Sequence, residues 1–529
     1  MKLTIPREDF HQKVYFFGLA LLVCCLPLSR YVLSISQFLL ALNWLTQGRF
    51  REKAAMISRR PSLLLFAAVF VIYVIGLLYT HHVETGAARI KNALPLLLLP
   101  LILGTSPPLS GKNVKWLLML FSAAVMLASL ICLMNYFAKS APANGDFRKI
   151  SIFMLHIRFS LMIVMAIFIL LYLAFYKSFS STNLEKAGFF LSACFLIAFL
   201  FFLRSFTGII IFLVMTTVFI FNTAVRCKRP SLRNATLFLI TGSLMALMTY
   251  TSWTYFHNFQ VKPIRLSTLE EYTANGNPYT HNASTGALEN GHYIDLYVCE
   301  PELKREWNKI STISYDSIDR RGQRISLTIR RYLTSKGFRK DSAAIGRLNK
   351  PDIQRIENGL ANYKFRENPG IYQRLYETLW EIHILSRTGY VQKHSLGQRL
   401  VFLITAKTIF ENNIWSGVGT GDVYDAMLQS AQGKMPAIDP QWEGKPHNQF
   451  IFFILAFGLP GFLCILYCFV YPVIARKSYR CFLFNIFAGI ILISMLTLDT
   501  LESYDSMVFF AFFYCLFVFG TELQENMKT

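Results

Sequence analysis

The sequence predicts an all-α polytopic membrane protein with about twelve transmembrane helices and one large, mainly helical loop outside the cytoplasm. The chain of 529 residues is 53% hydrophobic and only 16% charged, which is too little charge for a soluble protein of this size. Apolar runs of membrane-spanning length recur towards both ends of the chain. One long polar segment separates them, so we divide the chain into a membrane domain (1–256), a loop domain (257–446) and a second membrane domain (447–529).

A transmembrane helix needs roughly 20 apolar residues. The candidates are 13–29, 31–47, 61–80, 91–108, 113–137, 151–175, 187–204, 205–225, 234–256, 447–474, 480–498 and 505–521. Unbroken, residues 188–225 would form a helix of about 57 Å, nearly twice the hydrocarbon thickness. We therefore expect a break at Arg204-Ser205, and a similar break between Pro27 and Arg30.

The charges of the connecting loops indicate which side of the membrane each loop faces. With twelve spans and a cytoplasmic amino terminus, the basic loops 48–60, 226–233 and 475–480 all lie inside, and the acidic loop 499–505 lies outside. The net charge of +22 is then explained largely by these loops, and it does not indicate a nucleic-acid partner. The loop domain lies outside the cytoplasm. In it we expect helices near 352–363 (with Asp352 as N-cap), 371–385 and 400–410.

Three basic or titratable residues lie at similar depth near the outer ends of spans. Arg158 is close to the start of the sixth span, Arg204 lies at the break between the seventh and eighth, and His447 begins the tenth. Two guanidinium groups can bind a pyrophosphate in bidentate fashion, and an imidazole can accept a proton from a hydroxyl group near neutral pH. The alternative is structural: Arg204 reaches the interface as a snorkelling side chain, and Arg158 pairs with a backbone carbonyl.

Two further features precede His447 in the sequence. Arg399 opens a short helix, where it could contact phosphate or be an ordinary surface charge. A glycine-rich turn, GVGTGD (417–422), follows, and the backbone amides of Gly419 and Gly421 could approach an anion, although glycine turns are common in loops. No metal-ligand spacing is present, since His81 and His82 lack partners at such spacing.

The order of these motifs resembles a known family. His447 and Asn448 are followed after nine residues by Gly458 and after two more by Gly461, and the pattern comes after the glycine turn and the helix led by Arg399. This resembles the O-antigen ligase and O-antigen polymerase superfamily of polytopic membrane glycosyltransferases. Residues 332–363 also resemble a loop found in members from Bacteroidetes-like bacteria.

The resemblance implies a metal-independent, inverting transfer of a glycan from undecaprenyl pyrophosphate, without a cofactor, at the periplasmic face of the bacterial inner membrane. In the ligases the acceptor is lipid A–core. His447 would be the base or the orienting group for the acceptor hydroxyl, and Arg158, Arg204, Arg399, Asn448, Gly419 and Gly421 would bind substrate. One departure concerns Arg204: family members often have Ser-Arg-Thr-Gly where this chain has Ser205-Phe206-Thr207-Gly208.

Several functions stay open at this stage. Within the same class, the chain could be an O-antigen polymerase or a protein O-oligosaccharyltransferase. A lipid-linked glycan flippase or transporter would also have many spans and intramembrane arginines, but a transport path needs charges at mid-depth, where this sequence has few. A structural assembly protein would not need the motifs around His447.

Overall fold

The computed structural model describes residues 7–138, 150–175, 182–226, 229–260, 264–365, 371–388, 395–431, 442 and 444–521. Within these ranges the chain is mostly α-helical. The first membrane domain consists of α1 (Arg7–Cys25), α2 (Arg30–Thr46), α3 (Phe50–Ser58), α4 (Pro61–Leu77), α5 (Val83–Ala93), α6 (Pro95–Thr105), α7 (Gly111–Ala138), α8 (His156–Phe175), α9 (Asn183–Phe202), α10 (Phe206–Arg226) and α11 (Pro230–Phe259).

The loop domain has shorter elements, and the last three long helices follow it. Its elements are β1 (Leu288–Glu289), β2 (His292–Tyr293), α12 (Glu300–Ile310), α13 (Ile325–Ser335), α14 (Ser342–Gly346), α15 (Lys350–Glu357), α16 (Ile371–Thr388), α17 (Ser395–Asn412) and α18 (Val423–Ala431). The two strands form a small antiparallel hairpin. The second membrane domain consists of α19 (Gln449–Ala475), α20 (Phe482–Met495) and α21 (Tyr504–Val518).

The apolar helices support a polytopic helical membrane protein. Among the described residues, seven helices are long and apolar enough to cross a membrane, with α5 and α6 acting as one, and α3 with α4 would make an eighth, bent by 96°. A helix coincides with each of the twelve candidate segments, and both expected breaks are present, between α1 and α2 and between α9 and α10. The number of twelve spans stays a prediction, because α1, α2, α20 and α21 are not among these helices.

Helix α21 passes through the centre of the bundle. Every residue of it from Asp505 to Val518 is buried, and α8 beside it is buried along most of its length. Aromatic rings pack around α21, with Tyr514 stacked on Phe66 of α4 at 4.2 Å and Phe513 in edge contact with Phe121 of α7 at 4.9 Å. The first turn of α21, which carries Asp505, is therefore surrounded by protein.

The two ends of the helical bundle differ, and we call the end that carries Arg60 and Lys53 the basic end. At the basic end, Arg60 donates a hydrogen bond to the carbonyl of Gly104 at 2.7 Å, and Lys53 donates to the carbonyl of Trp44 at 2.5 Å. These bonds occupy carbonyls near the carboxyl ends of α6 and α2, where a cation also meets the negative end of the helix dipole. We call the other end, where α2, α8, α19 and α21 begin, the opposite end.

The loop domain contains two small hydrophobic cores. One is formed by α12, α13, α14 and α15 around Trp307 and Tyr332. The other joins the β-hairpin to α16 around Tyr376 and Trp380, and it includes Phe259, the last residue of α11. The carboxyl end of α11 therefore packs directly into the loop domain.

One helix of the loop domain differs from its prediction. Helix α15 begins at Lys350 and ends at Glu357, and its N-cap is Asn349 rather than Asp352. The side chain of Asn349 accepts the amide of Asp352 at 2.9 Å, and the Asp352 carboxylate accepts the amide of Asn349 at 3.2 Å, which is a capping box. The predicted helices 371–385 and 400–410 are confirmed within α16 and α17.

Candidate functional site

The centre of the opposite end is the segment 499–505 between α20 and α21, which we call the acidic segment. Its three carboxylates each meet a polar side chain from another helix. Asp499 accepts a hydrogen bond of 2.6 Å from the hydroxyl of Tyr424, Glu502 lies beside Arg89, and Asp505 lies beside Arg30. The acidic segment thus connects α18, α5 and α2 in one polar cluster.

Two arginines from distant helices share the carboxylate of Asp505. Nη2 of Arg30 lies 2.9 Å from Oδ1, and Nη1 of Arg158 lies 3.9 Å from Oδ2. The Asp505 side chain is only 1% exposed, whereas those of Arg30 and Arg158 are 54% and 24% exposed. Neither contact has hydrogen-bond alignment, since both carboxylate oxygens lack a hydrogen-bond partner. One negative charge therefore holds two positive groups near each other, with a residual positive charge facing outwards.

Arg204 lies in the turn between α9 and α10 with a left-handed backbone conformation (φ 52°). The residue after it, Ser205, is buried and donates a hydrogen bond of 2.9 Å to the hydroxyl of Ser160 on α8. Ser160 is two residues after Arg158. The structure therefore brings the turn of Arg204 against the helical turn that carries Arg158, as their similar predicted depth suggested.

A second buried cluster surrounds Glu502. Its Oε1 accepts hydrogen bonds from the hydroxyl of Tyr73 at 2.9 Å and the side-chain amide of Gln449 at 3.0 Å. Nε of Arg89 lies 3.9 Å from its Oε2, and the guanidinium group is stacked 4.1 Å from the ring of Tyr424. Burial raises the pKa of Glu502 to about 7 although the charge of Arg89 opposes that shift. This carboxyl group can therefore change its protonation state near neutral pH.

The glycine turn packs between α4, α5 and α19. The amide of Gly419 donates to the carbonyl of Ala456 at 2.9 Å, and the amide of Gly421 donates to the hydroxyl of Thr80 at 2.9 Å. A Cβ atom at Gly421 would lie 2.3 Å from the carbonyl oxygen of His82, so only glycine allows this close approach. These two amides are occupied by protein acceptors, and the glycines serve packing in this structure.

Asp422 completes the turn. Its carboxylate accepts the backbone amides of His81 at 2.7 Å and His82 at 2.8 Å. Burial raises the pKa of Asp422, but the two amide hydrogen bonds outweigh it and lower the pKa below its ordinary value. The turn is thereby fixed to the start of α5, which carries Arg89.

Helix α19 is broken at Gly458, where the backbone has φ 64° and ψ −175°. The break frees the carbonyls of Leu455 and Ala456, which accept the amides of Val418 and Gly419. Backbone groups freed at membrane depth need such partners because lipid offers none. The glycine turn therefore supports the first half of α19, which begins directly after His447 and Asn448.

His447 and Asn448 lie at the start of α19. Both polar atoms of Asn448 are used: Oδ1 accepts the amides of Phe450 and Ile451 at 2.9 and 3.1 Å, and Nδ2 donates to the carbonyl of Leu496 at 3.2 Å. Asn448 is thus the N-cap of α19. His447 is partly buried, with a left-handed backbone (φ 50°), so the cap fixes the residue that precedes it.

Arg399 is exposed on α17, three residues before Phe402. The ring of Phe402 lies 5.5 Å from the imidazole of His447 and stacks on Trp442 at 4.5 Å. Residues three apart on a helix share a face. The structure therefore brings Arg399 to the face of α17 that contacts His447.

Sequence reasoning did not identify Arg30, Arg89, Glu502 and Asp505 as site residues. A signal was present, because carboxylates beside apolar runs are costly and need a cationic partner. The acidic segment was interpreted only as an indicator of sidedness. Within the described part of the chain, no three His, Cys, Asp or Glu side chains form a metal-binding group.

Comparison of the sequence with protein-family models and with curated proteins finds no match. Membership of the O-antigen ligase superfamily therefore stays a prediction that rests on the order of Arg399, the glycine turn and the His-Asn pair.

Proposed function

We propose that this chain is a membrane glycosyltransferase of the O-antigen ligase type, which moves a glycan from undecaprenyl pyrophosphate to an acceptor by an inverting, metal-independent reaction. One observation carries the proposal. Arg30 and Arg158 share the buried carboxylate of Asp505 at the end of the bundle where α19 begins, directly after His447. A buried carboxylate holding two partly exposed guanidinium groups suits a doubly charged phosphate ligand.

The arginines would act on the donor. Negative charge grows on the departing pyrophosphate in the transition state, and fixed cations stabilise that charge without reorganising. Arginine stays protonated under all relevant conditions. Arg158 and Arg30 would bind the diphosphate directly, and Arg204, whose turn packs on the same part of α8, would extend the positive surface.

His447 would act on the acceptor. Its imidazole can take the proton of the attacking hydroxyl or orient that hydroxyl by a hydrogen bond. Asn448 would position it by capping α19, and Arg399 would bind phosphate or glycan from the neighbouring face of α17. Gly419 and Gly421 would contribute by allowing the glycine turn to pack under α19.

The proposed topology has twelve spans in the bacterial inner membrane with the loop domain in the periplasm. The basic residues that hold helix ends at one end of the bundle, Lys53 and Arg60, would face the cytoplasm. The acidic segment and His447 would then face the periplasm, where the lipid-linked donor is presented in the outer leaflet.

The acceptor we propose is lipid A–core, as in the ligases. A polymerase or a protein O-oligosaccharyltransferase would use the same donor chemistry with another acceptor. A deletion strain distinguishes ligase from polymerase: a ligase mutant accumulates full-length polymer on the lipid carrier, whereas a polymerase mutant places a single repeat unit on the core.

The non-enzymatic alternative is a lipid-linked glycan flippase or transporter. A direct test uses the purified protein in lipid nanodiscs with lipid-linked glycan and lipid A–core, and measures the joined product on a gel. We expect product with the wild-type protein and none with His447→Ala, which removes the acceptor base.

The matched control is His257→Ala, which removes an exposed histidine at the end of α11. This variant should retain wild-type transfer. Full activity of His447→Ala, or no product from the wild-type protein with lipid A–core, contradicts the proposal.

A further inference from the structure

The loop domain contains an open cleft of about 510 Å³ whose lining residues are all separate from the candidate site. Three stretches form it: the β1–β2 turn with Asn290 and His292, the end of α13 with Lys336, and residues 363–364. These stretches come from three parts of the loop domain, so the cleft is a product of its tertiary fold.

The floor of the cleft is held by a buried polar network. Asn290 donates to the carbonyl of Ser335 at 3.0 Å, and Asn362 donates to Asn290 at 3.1 Å and to Glu289 at 2.6 Å. Glu289 in turn pairs with Arg331 at 2.9 Å, and Glu289 and Asn362 are fully buried. A satisfied buried network fixes its members in one arrangement. The three lining stretches are therefore held rigidly relative to one another.

The lining of the cleft is cationic. Its lining, within the described part of the chain, includes Lys336, Lys364 and His292 and no carboxylate. One carboxylate, Asp352, contacts Lys336 at 2.6 Å and balances that charge. Lys364, which is exposed, leaves the cleft with a positive charge.

An aromatic platform lies beside these cations. Tyr363 is 39% exposed at the rim, and the side chain of Phe338 forms part of the wall. A sugar ring has an apolar C–H face and a hydroxyl edge, so a tyrosine ring next to amide donors and acceptors suits it. A basic side chain beside that ring suits an acidic substituent on the sugar.

We propose that this cleft binds an acidic saccharide unit, one that carries a carboxylate or a phosphate, of the glycan that the protein handles. This assignment of the cleft rests on the proposed function in one respect only, which is the choice of a glycan as the ligand. Tyr363 stacks on the sugar ring, and Lys364 pairs with the anionic group. The cleft selects acidic glycan chains and holds them outside the membrane.

The test uses the full-length protein in nanodiscs and isothermal titration calorimetry. The probes are tetragalacturonate, which carries carboxylates, glucose 1-phosphate, which carries a phosphate, and maltotetraose, which is neutral. We expect maltotetraose to bind at least about tenfold more weakly than the better acidic probe, and the two acidic probes distinguish carboxylate from phosphate. Equal binding of the neutral and acidic probes, or no binding of either acidic probe, overturns the proposal.

Two variants locate the site. Lys364→Ala and Tyr363→Ala should each weaken binding of the acidic probe about five- to tenfold, because each removes one direct contact from an exposed position. Lys350→Ala, which removes an exposed lysine outside the cleft, is the matched control and should change nothing. Unchanged affinity in Lys364→Ala overturns the proposal.

The cleft and the transfer reaction can fail separately. His447→Ala should bind the acidic probe as the wild type does, since His447 does not line the cleft. A wild-type protein that binds the probe but transfers no glycan overturns the proposed function alone. One that transfers glycan but binds no acidic probe overturns the cleft proposal alone.

Discussion

Asp505 shows how one buried residue can organise a surface. It lies in the first turn of a helix in the centre of the bundle, and its charge meets Arg30 of α2 and Arg158 of α8. A buried charge is stable only with a partner, and here the partners are themselves partly exposed. The carboxylate therefore sets the spacing of two guanidinium groups that face outwards.

Replacing Asp505 by Asn tests this arrangement, because the change keeps the volume and removes the charge. We expect Arg30 and Arg158 to repel each other, and the free energy of unfolding to fall by about 2 kcal/mol, less than for a fully buried pair. Thermal unfolding in detergent measures the loss. We also expect a higher KM for the lipid-linked donor with a smaller change in KM for the acceptor.

The control for Asp505→Asn is Asp316→Asn. Asp316 also pairs with a basic residue, Lys304, at 2.6 Å, but its side chain is 63% exposed. An exposed pair contributes about 0–1 kcal/mol, so this variant should unfold close to the wild-type temperature. Equal stability of both variants would show that burial of Asp505 has no energetic consequence.

Glu502 makes the stability of the protein depend on pH. Burial raises its pKa from 4.5 to about 7, so the folded protein holds this proton more tightly than the unfolded chain. The stabilisation is complete below about pH 4.5 and is lost as the pH rises through about 7. We expect the contribution of Glu502 to fall by up to about 3 kcal/mol over that interval.

Glu502→Gln isolates this contribution, because a glutamine can accept the hydrogen bond from Tyr73 and cannot ionise. The unfolding temperature of each protein is measured from pH 5 to pH 8. As the pH rises, the unfolding temperature of the wild type should fall more steeply than that of the variant. Parallel curves would contradict the raised pKa of Glu502.

At the residue scale, candidate side chains could be identified from the sequence, but their ion-pair partners could not. His447, Arg158 and Arg204 were recognisable because each places a basic or titratable group beside an apolar run. The pairing of Arg30 with Asp505 joins the two ends of the chain, and no local pattern encodes it. Such contacts depend on which helices become neighbours.

At the scale of elements, the break in α19 depends on Gly458. A Cβ atom there would lie 2.4 Å from the carbonyl oxygen of Trp415, and φ is 64°. We expect Gly458→Ala to lower the free energy of unfolding by at least about 2 kcal/mol, because the left-handed conformation and the clash both disfavour alanine. Thermal unfolding and glycan transfer should both fall, because the first half of α19 begins at the cap beside His447.

Gly188→Ala is the matched control for Gly458→Ala. Gly188 lies within α9, and a Cβ atom there would meet nothing within 4 Å. Alanine is the better helix former, so the unfolding temperature should stay the same or rise slightly. A loss as large as that of Gly458→Ala would contradict the specific role of the break.

The long helices were predictable because hydropathy and length are local properties. The break at Arg204-Ser205 followed from helix length alone, and the structure has it. The amphipathic helices α3 and α5 were not predicted, since neither is apolar enough to read as a span. The N-cap of α15 was misplaced by three residues because Asp352 is also a good capping residue and serves at the third helical position instead.

At the scale of the whole molecule, the two ends of the bundle differ in chemistry. One end uses Lys53 and Arg60 to occupy carbonyls at helix ends. The other end gathers the acidic segment, its arginines, the glycine turn and His447, and the loop domain continues from α11 at that end. The proposed reaction between a membrane lipid and an outer acceptor would need this polarity, with the site and the loop domain on one side.

This polarity predicts that Lys350 and Lys477 lie on opposite sides of the membrane. Lys350 lies in the loop domain, and Lys477 follows α19 at the basic end. The variants Lys350→Cys and Lys477→Cys can be labelled with a membrane-impermeant maleimide in cells whose outer membrane has been permeabilised. We expect labelling of Lys350→Cys in intact spheroplasts, and of Lys477→Cys only after the inner membrane is broken.

The native protein is the control for this labelling, because seven of the nine cysteines in the described residues, among them Cys299 in the loop domain, are buried or half-buried. Its background signal is subtracted from both variants. Labelling of Lys477→Cys alone in intact spheroplasts would show that the orientation is the reverse of the proposed one. His447 would then face the cytoplasm, where a lipid-linked donor of the outer leaflet does not reach it. Labelling of both would place Lys350 and Lys477 on the same side of the membrane, which contradicts a single crossing, by α19, between them.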